Sequence, residues 1–464
     1  MKTRELSNLG IPKGQIMKLA QEAVTEYAKN TQGKLGRNDL RQIVLNLVKD
    51  PMSFVDDKYF GPVAELLAVS IKARARFESR AEPAPYEQWG SDIEDLAINQ
   101  MNNACMLPVS IRGALMPDAH TGYGLPIGGV LATDNAVIPY AVGMDIACRM
   151  KLTVLDLPVR VLDGETERLK NALCRETSFG VGATFRQRRQ HDVMDQDWSV
   201  SPVTLRYKDK AWSQLGTSGS GNHFVEFGIL TLQKDDLGLD AGEYLALLSH
   251  SGSRGTGNEI ATYYSKAALD KHPELPGELA HLAWLDIDSA QGGEYWQAME
   301  LMGRYAAANH ELIHSYIAKN LKANVLLDIE NHHNFAWKEQ HDDKEVIVHR
   351  KGATPAGKDN IGIIPGSMAT PGYVVRGKGN KLSLNSASHG AGRLMSRTKA
   401  KETFTWSDAK KFLADRGVNL LSAGLDEVPM AYKDIEKVMK AQRDLVKPIA
   451  RFDPKIVRMA KSGQ

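Results

Sequence analysis

Between Leu107 and Met150 the chain breaks into short apolar runs punctuated by glycine, as in Tyr123-Gly-Leu-Pro-Ile-Gly-Gly129 and Val142-Gly-Met-Asp145, and the same texture returns over 323–395. Short runs bounded by glycine read as buried strands joined by loops that are free to carry function. Helical spacing is confined to other segments: 295–322 reads as one long helix, and 407–416 and 432–450 as two more. The expected class is therefore α+β, a mixed core with central β-sheets flanked by helices.

Residues 1–80 have another character. Ile16, Leu19, Ala20, Ala23, Val24 and Tyr27 recur at helical spacing over 12–30, Leu40, Ile43, Val44 and Leu47 do so over 39–49, and a third apolar stretch runs from Val63 to Ile71. The Pro-containing segment Arg80–Tyr86 reads as a linker, dividing a small N-terminal helical module (1–80) from a core (85–464). Ser91-Asp-Ile-Glu94 has the capping-box pattern and predicts a helix through about Met101.

A net charge of +2 means that any nucleic-acid binding must rest on local basic clusters. Cys105, Cys148 and Cys174 include no Cys-x-x-Cys pair, which argues against a disulfide scaffold or a zinc knuckle and fits a reducing cytoplasm. The N-terminus lacks the apolar core of a signal peptide, and no stretch approaches the ~18 apolar residues of a membrane span.

His310-Glu-Leu-Ile-His314 matches a zinc-hydrolase pattern, but no third ligand follows at the usual spacing and the preceding residues resemble an ordinary packed helix. The loops hold other donors. Asp145-Ile-Ala-Cys148 offers a carboxylate and a thiol that could reach one metal, although such a cysteine equally reads as a small buried hydrophobe. Gly219-Ser-Gly-Asn-His223 and Ser249-His-Ser-Gly-Ser-Arg-Gly255 each set a histidine in a glycine-rich loop, suited to metal and phosphate or simply to a tight turn. Glu330-Asn-His-His-Asn334 adds one imidazole. Ile364-Pro-Gly-Ser-Met368 precedes Ser388-His-Gly-Ala-Gly-Arg-Leu-Met-Ser-Arg397, whose glycines and arginines suit a nucleotide phosphate or a glycine-capped helix start.

In order along the chain, the stretches MPDAHTGYGLPIGGV, AVGMDIAC, GSGNHFVEF, HSGSRGTG, HHNFAW, VHRKGATPA, IPGSM, SHGAGRLMSR and AYKDIEKVM resemble the RtcB family of 3′-phosphate RNA ligases, from about Leu107 onward. The resemblance implies two manganese ions bridged by Cys148, one held by Asp145 and His223, the other by His250 and His333. It implies His389 as the nucleophile toward GTP. The guanylate site it implies comprises Asn222, His223, Phe224, Val225 and Glu226, with His333 and Asn334. Pro365, Gly366, Ser367, Met368, Gly390, Ala391, Gly392 and Lys461 complete it, and Tyr432 and Lys351 are weaker candidates. Arg254, Arg393 and Arg397, joined by Arg188 and Arg189, would meet RNA phosphates. Two departures stand out: Arg149 follows Cys148 where the family usually has glycine, and Gly372 stands where a guanylate-contacting serine often lies. The segment 185–211 is longer than usual, and residues 1–80 lie outside the resemblance.

The implied activity joins RNA carrying a 3′-phosphate or 2′,3′-cyclic phosphate to a 5′-hydroxyl end, through a histidine guanylate and a guanylylated RNA end, in RNA repair or tRNA splicing. No membrane partner is implied, and a monomer is the expected state. Two rivals are a zinc-dependent hydrolase using His310, Glu311 and His314, and a non-catalytic RNA-binding protein on the same scaffold.

Overall fold

The computed structural model describes residues 1–12, 14–31, 36–74 and 79–461, which divide into two compact units, Met1–Ser79 with Leu269–Ala280 and Arg80–Ala268 with His281–Gln464. The first unit contains the helices Thr3–Asn8, Gln15–Asn30, Arg37–Lys49 and Gly61–Arg74. Of the stripe that the apolar spacing predicts, Ala20, Ala23 and Val24 are buried in one cluster with Val44, Leu47, Phe60 and Leu67, which Met17 of the same helix joins.

The second unit is α+β, with two large sheets. One has eight strands; in its main path Ile361–Ile364, Gly372–Gly377, Val446–Met459, Phe224–Leu232, Gly242–Ser251, Arg149–Leu155 and Val325–His332 lie side by side, and Asn419–Ser422 pairs with Val446–Met459. The other runs Tyr86–Gln88, Ser110–Tyr123, Leu125–Thr133, Lys344–Lys351, Asn334–His341.

The two-residue period of a strand decides what each face of the larger sheet can do. In Gly242–Ser251, Ala246 and Leu248 enter one core cluster, while Leu245 and Leu247 enter another that includes Ile313 and Ile317 of the long helix Ala290–Leu321. By the same alternation His250 shares the face of Leu248, and Ser249 shares the face covered by the helix. In the neighbouring strand Met150, Leu152 and Val154 lie on the His250 side. Arg149 and Thr153 face the helix and bond to it, Arg149 Nη2 donating to Gly303 O and Thr153 Oγ1 meeting His314 Nδ1.

Three sequence expectations need correction. The helix expected over 432–450 covers only Ile435–Ala441; Pro448 cannot continue a helix, and Val446, Ala450 and Phe452 bury as part of the strand Val446–Met459. The capping box at Ser91–Glu94 does not form, because the Glu94 carboxylate accepts from Thr121 N and Oγ1 instead, and the helix starts at Asp95. The strands over 107–150 are not all short: Ser110–Tyr123 has 14 residues and absorbs its proline by a register break between Leu115 and His120. No helix among the described residues is long and apolar enough to cross a membrane.

Candidate active site

Four strand ends bring the loop donors together. Asp145 and Cys148 lie in the turn before Arg149–Leu155, where Ala147 takes a left-handed conformation (φ 57°). His223 immediately precedes Phe224–Leu232, His250 lies near the end of Gly242–Ser251, and His333 separates Val325–His332 from Asn334–His341. Cys148 Sγ is 3.4 Å from His223 Nε2 and 3.0 Å from His250 Nε2. His223 Nε2 is 3.0 Å from Asp145 Oδ2, and His250 Nε2 is 3.1 Å from His333 Nε2. The donors thus form two overlapping triads that share Cys148: one with Asp145 and His223, one with His250 and His333. Gly219 permits the crowding, since a Cβ there would lie 1.7 Å from His223 Nδ1.

The chemistry of this set fits cations. His250 Nδ1 donates to the Asn222 carbonyl at 3.0 Å, so its Nε2 carries a lone pair, as a metal ligand requires. Burial lowers the pKa of His250 to about 3 and that of His333 well below its ordinary value, the latter helped by the nearby His389. Neutral imidazoles therefore face one another and a thiol. Burial, reinforced by the Asp145 charge, raises the Cys148 thiol well above its usual range, so its thiolate needs a cation beside it. Burial opposes ionisation of Asp145, but the hydrogen bond and charge of His223 override it and lower its pKa.

His389 follows the strand Ser386–Ser388, and its ring centroid is 4.9 Å from that of His333. Its Nδ1 is 2.7 Å from Oδ2 of the fully buried Asp118, which leaves Nε2 with the free lone pair. Asp118 sits in the register break of Ser110–Tyr123. Its backbone is approached so closely that a Cβ on Gly392 (φ +76°) would lie 2.2 Å from Asp118 O.

A cavity of about 790 Å³ opens beside His389. Asn222, Phe224, Glu226, His250 and His333 line it, as do Pro365, Gly366, Ser367, Met368, Gly390, Ala391 and Gly392. Arg393, Arg397, Tyr432 and Gly372 line it too. Burial raises the pKa of Glu226 well above the carboxylate range, which favours its neutral carboxyl.

Other expected residues lie elsewhere. Val225 is in the core behind the strand. Asn334 accepts from Gly352 N at 2.8 Å and so shapes a loop. Lys351 is buried, its Nζ donating to Tyr123 O. Lys461 lines a different cavity with Trp406 and Lys410.

The arginines divide. Arg397 is half exposed, its Nε 3.1 Å from Glu427, and Arg393 is held by Glu427 and Asp426 O. Arg254 is buried and donates to Thr217 and Gly180 O, and Arg189 is buried against Gly216 O and Glu176. Arg188 pairs with Asp209 at the surface. Arg149, the departure beside Cys148, is buried and pairs with Glu330 at 3.1 Å.

The zinc-hydrolase pattern does not assemble. His310 Nδ1 and His314 Nε2 both bond Ser249 Oγ, at 2.6 and 2.7 Å, and His310 Nε2 donates to Ser251 O. Glu311 points away and meets His191. Two residues of the site carry no motif of their own: Asp118, and Lys433, whose Nζ donates to Asp92 O, Pro117 O and Ala119 O and so clamps the Asp118 segment. A carboxylate inside an apolar run, in MPDAH, is the signal that marks it.

Buried imidazole, thiol and carboxylate donors able to hold a metal ion, beside a cavity of this size, are the composition of a candidate enzyme site. A profile described as tRNA-splicing ligase RtcB matches residues 100–205 and 190–460. The RNA-splicing ligase RtcB of Escherichia coli K12 is 36% identical over 406 residues, covering 79% of this chain and 95% of that protein. The tRNA-splicing ligase RtcB of Nanoarchaeum equitans is 32% identical over 435 residues (78% and 91%), and that of Methanococcus maripaludis 31% over 420 residues (74% and 87%). The chain belongs to the RtcB family.

Proposed function

We propose that this protein is an RNA ligase that uses GTP and two manganese ions to join a 3′-phosphate, or a 2′,3′-cyclic phosphate opened by water, to a 5′-hydroxyl. The observation that carries this reading is the His389 ring, 4.9 Å from the ring of His333 and tied by Nδ1 to Asp118. Asp118 holds the proton on Nδ1 and aims the Nε2 lone pair at the cavity. Nε2 attacks the α-phosphorus of GTP, and the bond to pyrophosphate breaks as the N–P bond forms. The RNA 3′-phosphate then takes the guanylyl group from His389, and the incoming 5′-hydroxyl displaces GMP. Cations held by Asp145, Cys148 and His223, and by Cys148, His250 and His333, would neutralise phosphate charge and polarise the phosphoryl oxygens.

Glu226 is the group in the cavity best suited to the hydrogen-bonding edge of guanine, and Arg397 is the half-exposed guanidinium suited to an RNA phosphate. The glycines at 390 and 392 let a phosphate approach the backbone. Residues 85–464 form the ligase core on this reading, with 1–80 as an appended module, since the family match begins at residue 100. A thiolate ligand needs a reducing compartment, for which the cytoplasm is the natural assignment. The test is ligation of paired 3′-phosphate and 5′-hydroxyl RNA fragments: product should require both GTP and manganese, and product formed without GTP would refute the scheme.

A further inference from the structure

The cavity beside His389 continues to a rim where Leu96, Tyr123 and Leu394 are 63%, 69% and 54% exposed. Three large apolar side chains that line one cavity and stand this far in water mark a surface that something covers. Tyr123 is firmly seated for so exposed a residue. It pairs with Leu125 across a turn at Gly124 (φ +69°), where a Cβ would lie 2.7 Å from His281 O. Its carbonyl accepts from the buried Lys351 Nζ. Its ring meets His281 edge-on at 5.7 Å, and His281 packs on Tyr140 at 4.4 Å. The ring is thus braced at one side and open to solvent over most of its area.

We infer that Tyr123 is a stacking platform for the nucleobase of a terminal nucleotide at the RNA junction, with Leu96 and Leu394 as the apolar walls of that subsite. The inference rests on the reading of the cavity as an RNA end-joining site. A protein partner seated on this rim would plug the cavity that must admit substrate, so the occupant is the substrate itself. A base offers the flat π face that an exposed tyrosine ring stacks on, without demanding a particular sequence. Arg397, on the same cavity, is placed to take the adjoining phosphate.

The experiment compares wild type, Tyr123→Ala and Tyr123→Phe in two assays, guanylylation with labelled GTP and single-turnover ligation. The RNA pairs are intact, abasic at the 3′-phosphate nucleotide, or abasic at the 5′-hydroxyl nucleotide. Wild type should lose roughly tenfold or more in ligation with one of the two abasic substrates, the size of one base–aromatic stack, and that arm identifies the strand. Tyr123→Ala should lose a similar factor with intact RNA and little more with the same abasic RNA, while Tyr123→Phe ligates like wild type. All three proteins should guanylylate equally. Wild type indifferent to both abasic substrates overturns the inference without any variant, as does Tyr123→Ala ligating intact RNA at the wild-type rate. Wild type that takes no guanylate would instead strike at the ligase reading on which the subsite depends.

Discussion

Oδ2 of Asp118 lies 2.7 Å from His389 Nδ1 and also accepts the backbone N–H groups of His389 and Gly390, at 3.2 and 3.3 Å. One buried oxygen therefore fixes both the ring and the loop that carries it. Asp118→Asn keeps the shape but disturbs these acceptor contacts and the tautomer. Guanylylation should fall by a factor approaching ~10⁴, the scale seen when a catalytic histidine loses its orienting carboxylate. Single-turnover labelling measures this, with circular dichroism to confirm an intact fold; an unimpaired rate would remove Asp118 from the mechanism.

Cys148 belongs to both donor triads. Cys148→Ser should weaken manganese binding by more than the ~10–100-fold typical of losing an outer partner, and should affect both ions. Manganese titration followed by electron paramagnetic resonance checks this, and loss of one ion alone would contradict the bridging role. Because zinc outranks manganese for thiolate and imidazole sites, zinc should inhibit ligation competitively with manganese. A rate indifferent to added zinc would count against this donor set.

Glu311 is exposed on the far side of its helix from Ser249 and touches His191. Glu311→Gln should leave ligation unchanged and alter stability by no more than about 0.5 kcal/mol. Complete loss of activity in this variant would revive the zinc-hydrolase reading.

Burial lowers the Lys351 pKa from 10.5 to about 7. Below the lower value both folded and unfolded chains carry the proton; between the two only the unfolded chain does, so this residue makes stability rise with pH across that window. Lys351→Met should flatten the rise. Urea midpoints at several pH values between about 7 and 10 test it, and curves for variant and wild type that run parallel would show that the folded amine is charged.

Local pattern made the parts of this site visible but not their arrangement. His223 and His250 are legible because glycine surrounds them, and the N-terminal helices because Ala20, Ala23 and Val24 repeat at helical spacing. His310 and His314 satisfied a motif equally well, yet the strand period turns Ser249 rather than His250 toward them, and strand pairing is not written in any short window. Asp118 was hidden for the same reason: its partner is 271 positions away. The stretch 432–450 reads as one helix on apolar spacing alone, but Pro448 cannot continue one, and 446–450 belong to the strand Val446–Met459.

The central claim is that His389 carries the guanylyl group, and it is tested by incubating the protein with α-labelled GTP and manganese, then denaturing it and mapping the label. The account predicts an acid-labile, alkali-stable adduct on the histidine at position 389, absent from His389→Ala. An unlabelled wild-type chain, or label that persists in His389→Ala, would contradict it.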